Sequence, residues 1–211
     1  MKNSKNSTLY FFDSGDKPIK NLPFYLLFLT SAVFSNIFEI DRIDEVKSYL
    51  EKDTLVLFDI YNTIMHPVQE LGRDQWFYHR ISQYEDQGFS FSESLERALE
   101  EWISILHVTK VSPVESQVAS IIDQIQSKNI PLMGLTARGS GVSTITMKQL
   151  RTLYINLAKT APFYTEALVL NPHGVLFRAG ILFTAGTNRG ISLFKFFDHV
   201  GITPKNAFIH Q

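Results

Sequence analysis

Asp59 and Thr63 follow an apolar run, Leu55-Val56-Leu57-Phe58, and Thr136 and Arg138 follow a second, Leu132-Met133-Gly134-Leu135. A carboxylate, hydroxyls and a cation at two strand ends are the parts of a phosphoryl-transfer site. The carboxylate can attack phosphorus and carry the group as an aspartyl phosphate. The Thr136 hydroxyl and nearby loop amides can hold the phosphoryl oxygens, and a cation such as Arg189 or Lys195 can offset the charge that develops there. Each residue also has a plain structural role open to it. Asp59 can cap a turn, Thr136 can bond backbone at a strand end, and Arg138 and Arg189 can be surface cations.

The elements around these residues read as an α/β chain. "TLVLF" (54–58) is a continuous apolar run, as in a strand buried on both faces of a parallel sheet. "SPVESQVASIIDQIQSKN" (112–129) reads as an amphipathic helix with Ser112 as N-cap, Pro113 at its first position and Glu115 at its third. It leads into "IPLMGLTARG", a second strand, so the order implies a right-handed parallel crossover. Parallel strands put their C-terminal ends on one sheet edge, where open α/β folds bind ligands.

Between the two strands, residues 66–111 interleave aromatics and charges and predict a helical insertion, with a helix starting at Ser92 and running to Ile105. Trp76 and Phe77 fit its core, with stacking on substrate as the alternative, and Glu96, Glu100 and Glu101 fit a solvated face. "IDRIDEVKSYLEKD" (40–53) predicts a short helix with Ile43, Val46 and Leu50 on one side. Residues 141–160 predict another helix, 166–186 strands joined by Asn-Pro-His-Gly and Arg-Ala-Gly turns, and 188–201 a helix ending at Gly201. "TPKNAFIHQ" (203–211) starts a last strand.

Composition narrows the function classes. The chain has 211 residues, 45% of them hydrophobic, enough for one domain with a small insertion. A net charge of −1 gives no electrostatic footprint for nucleic acid. The absence of cysteine excludes disulfides, zinc-thiolate sites and cysteine nucleophiles. His66 and His173 sit beside proline in turn-like, solvated contexts, and His79, His107 and His199 fall in helical stretches without metal-ligand spacing. Residues 21–38 carry no charge and follow Lys17 and Lys20. Their strongly apolar part has the length of a signal-peptide core and is short for a membrane span. Residues 1–36 are therefore expected to be a signal peptide or anchor, with contact to membrane or translocon through residues 21–38 and export to the periplasm or cell envelope or secretion. A buried segment of a cytoplasmic protein is the alternative.

"LVLFDIYNT", "LMGLTARG", "NRGISLFKFF" and "TPKNAFI" together resemble the four ordered motifs of the haloacid-dehalogenase-like (HAD) superfamily. More narrowly, "DTLVLFDIYNTIMHPVQELGRDQWF" resembles a secreted bacterial HAD-like family of unknown function. The resemblance spans residues 37–211 and implies a Rossmannoid parallel sheet with a small helical cap at 66–111 that selects substrate. It implies Asp59 as nucleophile, with its carboxylate and the Tyr61 backbone carbonyl as Mg²⁺ ligands. It assigns binding of a small phosphorylated molecule to Thr63, Thr136, Ala137, Arg138 and Arg189.

Three features depart from that pattern. Tyr61 stands where a second carboxylate serves as acid and base, and a phenol of pKa near ~10 is a poor base at neutral pH. Arg189 stands in the place of a lysine, and a planar fork is not a compact ammonium. After "NAFI" the sequence gives His210 and Gln211 instead of acidic metal ligands. A final strand and helix of the family are then expected to be missing, leaving the last strand as an exposed edge. Three functions fit: a weakly active Mg²⁺ phosphohydrolase, an inactive HAD-like binding protein, and a metal-free carbon–halogen hydrolase. The first motif of the last, D-x-Y-G-T, shares Tyr61.

Overall fold

A computed structural model describes residues 7–13, 36–40, 42–51, 54–164, 168–169, 174–204 and 206–210. In chain order the elements are β1 (Ser7–Asp13), β2 (Asn36–Ile40), a 3-10 helix (Ile43–Tyr49), β3 (Thr54–Asp59) and β4 (Met65–Pro67). α1 (Asp74–Asp86), α2 (Phe91–Leu106), β5 (Val111–Pro113), α3 (Val118–Ser127) and β6 (Leu132–Thr136) follow. Then come α4 (Ser143–Thr152), a 3-10 turn (Leu157–Thr160), β7 (Leu168–Val169), β8 (Leu176–Arg178), β9 (Ile181–Phe183), α5 (Arg189–Val200) and β10 (Asn206–His210).

The fold is mixed α/β. Its main sheet has the order β2-β1-β10-β3-β6-β9-β8-β7. β10, β3, β6 and β9 are parallel, and the strands outside them run antiparallel. Alternation along β3 decides which helices cover which face. Val56 and Phe58 pack with α3, α4 and the first 3-10 helix through Ile121, Ile125, Leu150 and Val46. Leu55 and Leu57 face the other way, onto Leu193, Phe196 and Phe197 of α5. Both faces are therefore apolar, as the unbroken run at 54–58 predicts. No helix among the described residues is long and apolar enough to cross a membrane. Within 21–38, residues 21–35 lie outside the described residues, and 36–38 belong to β2.

The structure corrects several expectations. Ser112 and Pro113 do not start a helix, because β5 pairs antiparallel with β4, Ser112 opposite His66. The helix begins at Val118, and Glu115 instead accepts a hydrogen bond from the Ile43 amide at 2.9 Å. α2 starts a residue earlier than expected, with a capping box between Ser90 and Glu93. Glu101 is not merely solvated: both its oxygens bind Arg80, at 2.6 and 2.7 Å. The helix expected over 141–160 is α4 followed by the 3-10 turn. The last strand is not an edge, because β1 runs antiparallel along β10 from Leu9–His210 to Asp13–Asn206.

The turn between β8 and β9 has Ala179 at φ 51° and Gly180 at φ 77°, the positive angles a tight hairpin turn requires. A Cβ on Gly180 would also run into the Leu157 carbonyl. Gly180→Ala is expected to destabilise the fold by more than about 1 kcal/mol, read as a lower denaturant midpoint at unchanged slope. An unchanged midpoint would show that this turn relaxes freely.

Candidate functional site

Parallel pairing of β3 with β6 brings Asp59 beside Leu135, one residue before Thr136. Above this edge lies a cavity of about 710 Å³. Asp59, Thr136, Ala137, Arg138 and Arg189 line its floor. α1 and α2 form its roof, joined to the core through the β4–β5 pair. Five of the residues singled out in the sequence thus meet at one cleft, with Tyr61 on its wall. Thr63 does not join them, being buried without lining the cavity. Lys195 is exposed on α5 and is not on the cavity wall.

Arg189 opens α5, whose N-cap is Asn188, with its side chain accepting from the Ile191 amide. From there the Arg189 Nη1 donates to Asp59 Oδ2 at 2.7 Å. The other carboxylate oxygen of Asp59 accepts from the Ile60 amide at 2.8 Å. Burial raises the Asp59 pKa above its ordinary 3.8, and the Arg189 charge and the Ile60 amide only partly oppose it. The carboxylate is thus held in place by a cation in an environment that disfavours its charge.

Arg138 is the most deeply placed cation, 6% exposed. Its Nη1 donates to Thr146 Oγ1 at 2.9 Å and Gln149 Oε1 at 3.0 Å. Its Nε and Nη2 have no hydrogen-bond partner among the described residues. The guanidinium instead lies over the rings of Tyr61 and Trp102, 5.0 and 5.4 Å from their centroids. Burial pulls its pKa down to about 10, so it remains charged at neutral pH.

Tyr61 is committed elsewhere. Its hydroxyl donates to the Gly72 carbonyl at 2.6 Å, and Trp102 Nε1 donates to the same oxygen at 3.1 Å. Burial, then the nearby Asp74 carboxylate, push the phenol above its ordinary 10.0. It is a donor that fastens the cap, not a base. Asn62, at φ 63°, takes the left-handed conformation that asparagine tolerates. Its Nδ2 donates to Asp74 Oδ2 at 2.8 Å, which brings a second carboxylate to the cleft wall from α1.

No preformed side-chain cluster for a divalent cation stands among the described residues. Mg²⁺ is commonly held by one or two carboxylates together with waters and substrate phosphate. On the floor Asp59 already holds a guanidinium and an amide, and Asp74 is engaged by Asn62. Among the described residues no three His, Asp or Glu side chains are grouped to hold a metal. His210 ends β10, in register with Phe58; its side chain and Gln211 lie outside the described residues.

A family model described as "Protein of unknown function (DUF2608)" matches residues 39–210. The chain belongs to the DUF2608 family. It is 28% identical over 180 residues to a Chlamydia pneumoniae protein named "Putative outer membrane protein", covering 83% of this chain and 68% of that one. A protein of the same description from Chlamydia trachomatis serovar D is 24% identical over 184 residues, 84% of this chain and 69% of that one. No solved structure matches.

In this DUF2608 domain, sequence reasoning passed over Asp74, Trp102, Tyr78, Leu99 and Ile103 as site residues. All five line the cavity. Their signal was helical spacing, 74-78 and 99-102-103, which ordinarily marks a buried face. Phe77 serves both roles, packing on Trp102 at 6.1 Å between centroids and lining the cleft.

Two outcomes follow from this geometry. An acid with a raised folded pKa contributes stability while protonated and loses it as pH climbs through the raised value. Asp59→Asn is therefore expected to gain stability over wild type as pH rises above the ordinary carboxylate value of about 4, read as a growing difference in unfolding free energy. A difference that shrinks would contradict burial as the dominant influence on Asp59. Tyr61→Phe and Trp102→Phe should each cost about 1 kcal/mol or less, since the other donor remains on Gly72. The double variant should cost more than the sum, because it strands a buried carbonyl. Strict additivity would show that the two donors do not share a task.

Proposed function

We propose that this is a HAD-like domain that binds a small phosphate monoester and hydrolyses it slowly through Asp59. The observation that carries the reading is the meeting of Asp59, Thr136 and Arg189 at one sheet edge, joined by the 2.7 Å ion pair between Asp59 and Arg189. In this scheme the phosphoryl oxygens are held by Arg189, the Thr136 hydroxyl and the α5 N-terminus, a favourable place for an anion. The carboxylate of Asp59 attacks phosphorus, the ester bond breaks, and the alcohol takes its proton from water. A second water then cleaves the acyl phosphate, releasing phosphate and restoring Asp59.

Tyr61 sets the rate. A carboxylate in its place would protonate the leaving group and activate the water, a service worth roughly 10²–10⁴-fold. The phenol is donated to Gly72 and its pKa is raised, so that service is lost. Asp59 and Asp74 are already engaged by Arg189 and Asn62, so the scheme is written without Mg²⁺. A second reading, metal-free hydrolysis of a carbon–halogen bond, is favoured by the combination of Asp59, Tyr61 and an aromatic cleft. Chloride release from 2-chloropropionate tests it.

The apolar residues 21–38 and the names of the relatives support a place in the cell envelope. Turnover of p-nitrophenyl phosphate is the test of the enzymatic part. Slow turnover that exceeds Asp59→Asn and is indifferent to Mg²⁺ or chelator is expected. Turnover equal to that of Asp59→Asn would remove the nucleophile, and fast Mg²⁺-dependent turnover would overturn the role given to Tyr61.

A further inference from the structure

Phe77 and Tyr78 on α1, and Leu99, Trp102 and Ile103 on α2, form the apolar roof of the cleft. One turn further along the same helical faces, Ile81 and Leu106 are buried. The two helices therefore carry an apolar stripe longer than their own packing covers. Where the stripe meets the cleft, Tyr78 stays 68% exposed and Leu99 and Ile103 39% each. The opposite wall is polar, with Asp59, Thr136 and Arg189. Exposed apolar side chains gathered around one concave, charged floor mark a ligand site rather than ordinary surface.

We propose that the cleft takes a phosphate monoester bearing an aromatic group. The phosphate lies toward Arg189 and Thr136, and the ring against Tyr78, Leu99, Trp102 and Ile103. This rests on the phosphate-binding reading above and adds the class of organic group. A sugar or polyol in the same place would turn hydroxyls toward Leu99, Ile103 and the ring faces of Trp102 and Phe77, which cannot bond them, and this is costly when water is displaced. A ring covers the same surface and meets Trp102 and Phe77, whose faces and edges suit aromatic contact.

Titration calorimetry of the full chain with methylphosphonate and phenylphosphonate isolates the organic group, since both share one headgroup and neither has an ester to cleave. Phenylphosphonate should bind about tenfold or more tightly. In Leu99→Ser/Ile103→Ser the phenyl compound should fall to the affinity of the methyl one, with methylphosphonate unchanged. Tyr78→Ser, largely in solvent, should weaken phenylphosphonate selectively and covers the case in which the double variant fails to fold. Equal wild-type affinities would overturn the aromatic site and leave anion binding standing. A phenyl advantage that survives both variants would overturn its placement. Binding of neither compound would overturn this inference and the phosphate reading together.

Discussion

The ion pair between Asp59 and Arg189 is the constraint on which the rest of the site depends. It ties the end of β3 to the start of α5 across the sheet edge. Each partner limits the other. Arg189 keeps an ionised carboxylate tolerable in a place where burial disfavours it, and Asp59 fixes the guanidinium at the mouth of a helix N-terminus. A charge pair that is half-buried and hydrogen-bonded is held in geometry more firmly than a surface pair. It also engages the carboxylate that the resemblance would give to a divalent ion.

A second junction holds the roof over this floor. The Gly72 carbonyl accepts from Tyr61 on the core and Trp102 on the cap, and the buried guanidinium of Arg138 lies over both rings. Gly72 takes φ 93°, and a Cβ there would press on Thr109, so the junction depends on glycine. Tyr61, which stands where the resemblance would place an acid–base carboxylate, is thus the residue that fastens the helical insertion.

Much of this was legible from local pattern. The run at 54–58 specifies a strand covered on both faces, and Asn188 and Gly201 bracket α5 as cap and left-handed stop. Convergence of Asp59, Thr136 and Arg189 follows once the strands are parallel. What the sequence hid was set by distant partners. Ser112 and Pro113 look like a helix start, but pairing with Met65–Pro67 claims them for a strand. The stripe through Leu99, Trp102 and Ile103 looks like core, because spacing shows a shared face and not what that face meets. Arg138 looks like a surface cation because the rings that cover it come from a loop and a helix far away in the chain. Thr63 stands beside the motif in sequence yet is turned into the interior.

The most direct measurement is the affinity of inorganic phosphate for wild type and for Asp59→Asn, by calorimetric titration at neutral pH. Removing the carboxylate frees Arg189 and removes a negative charge from the floor, so phosphate should bind more tightly to the variant. Weaker binding in Asp59→Asn, or no binding to either protein, would contradict an anion site built on the Asp59–Arg189 pair.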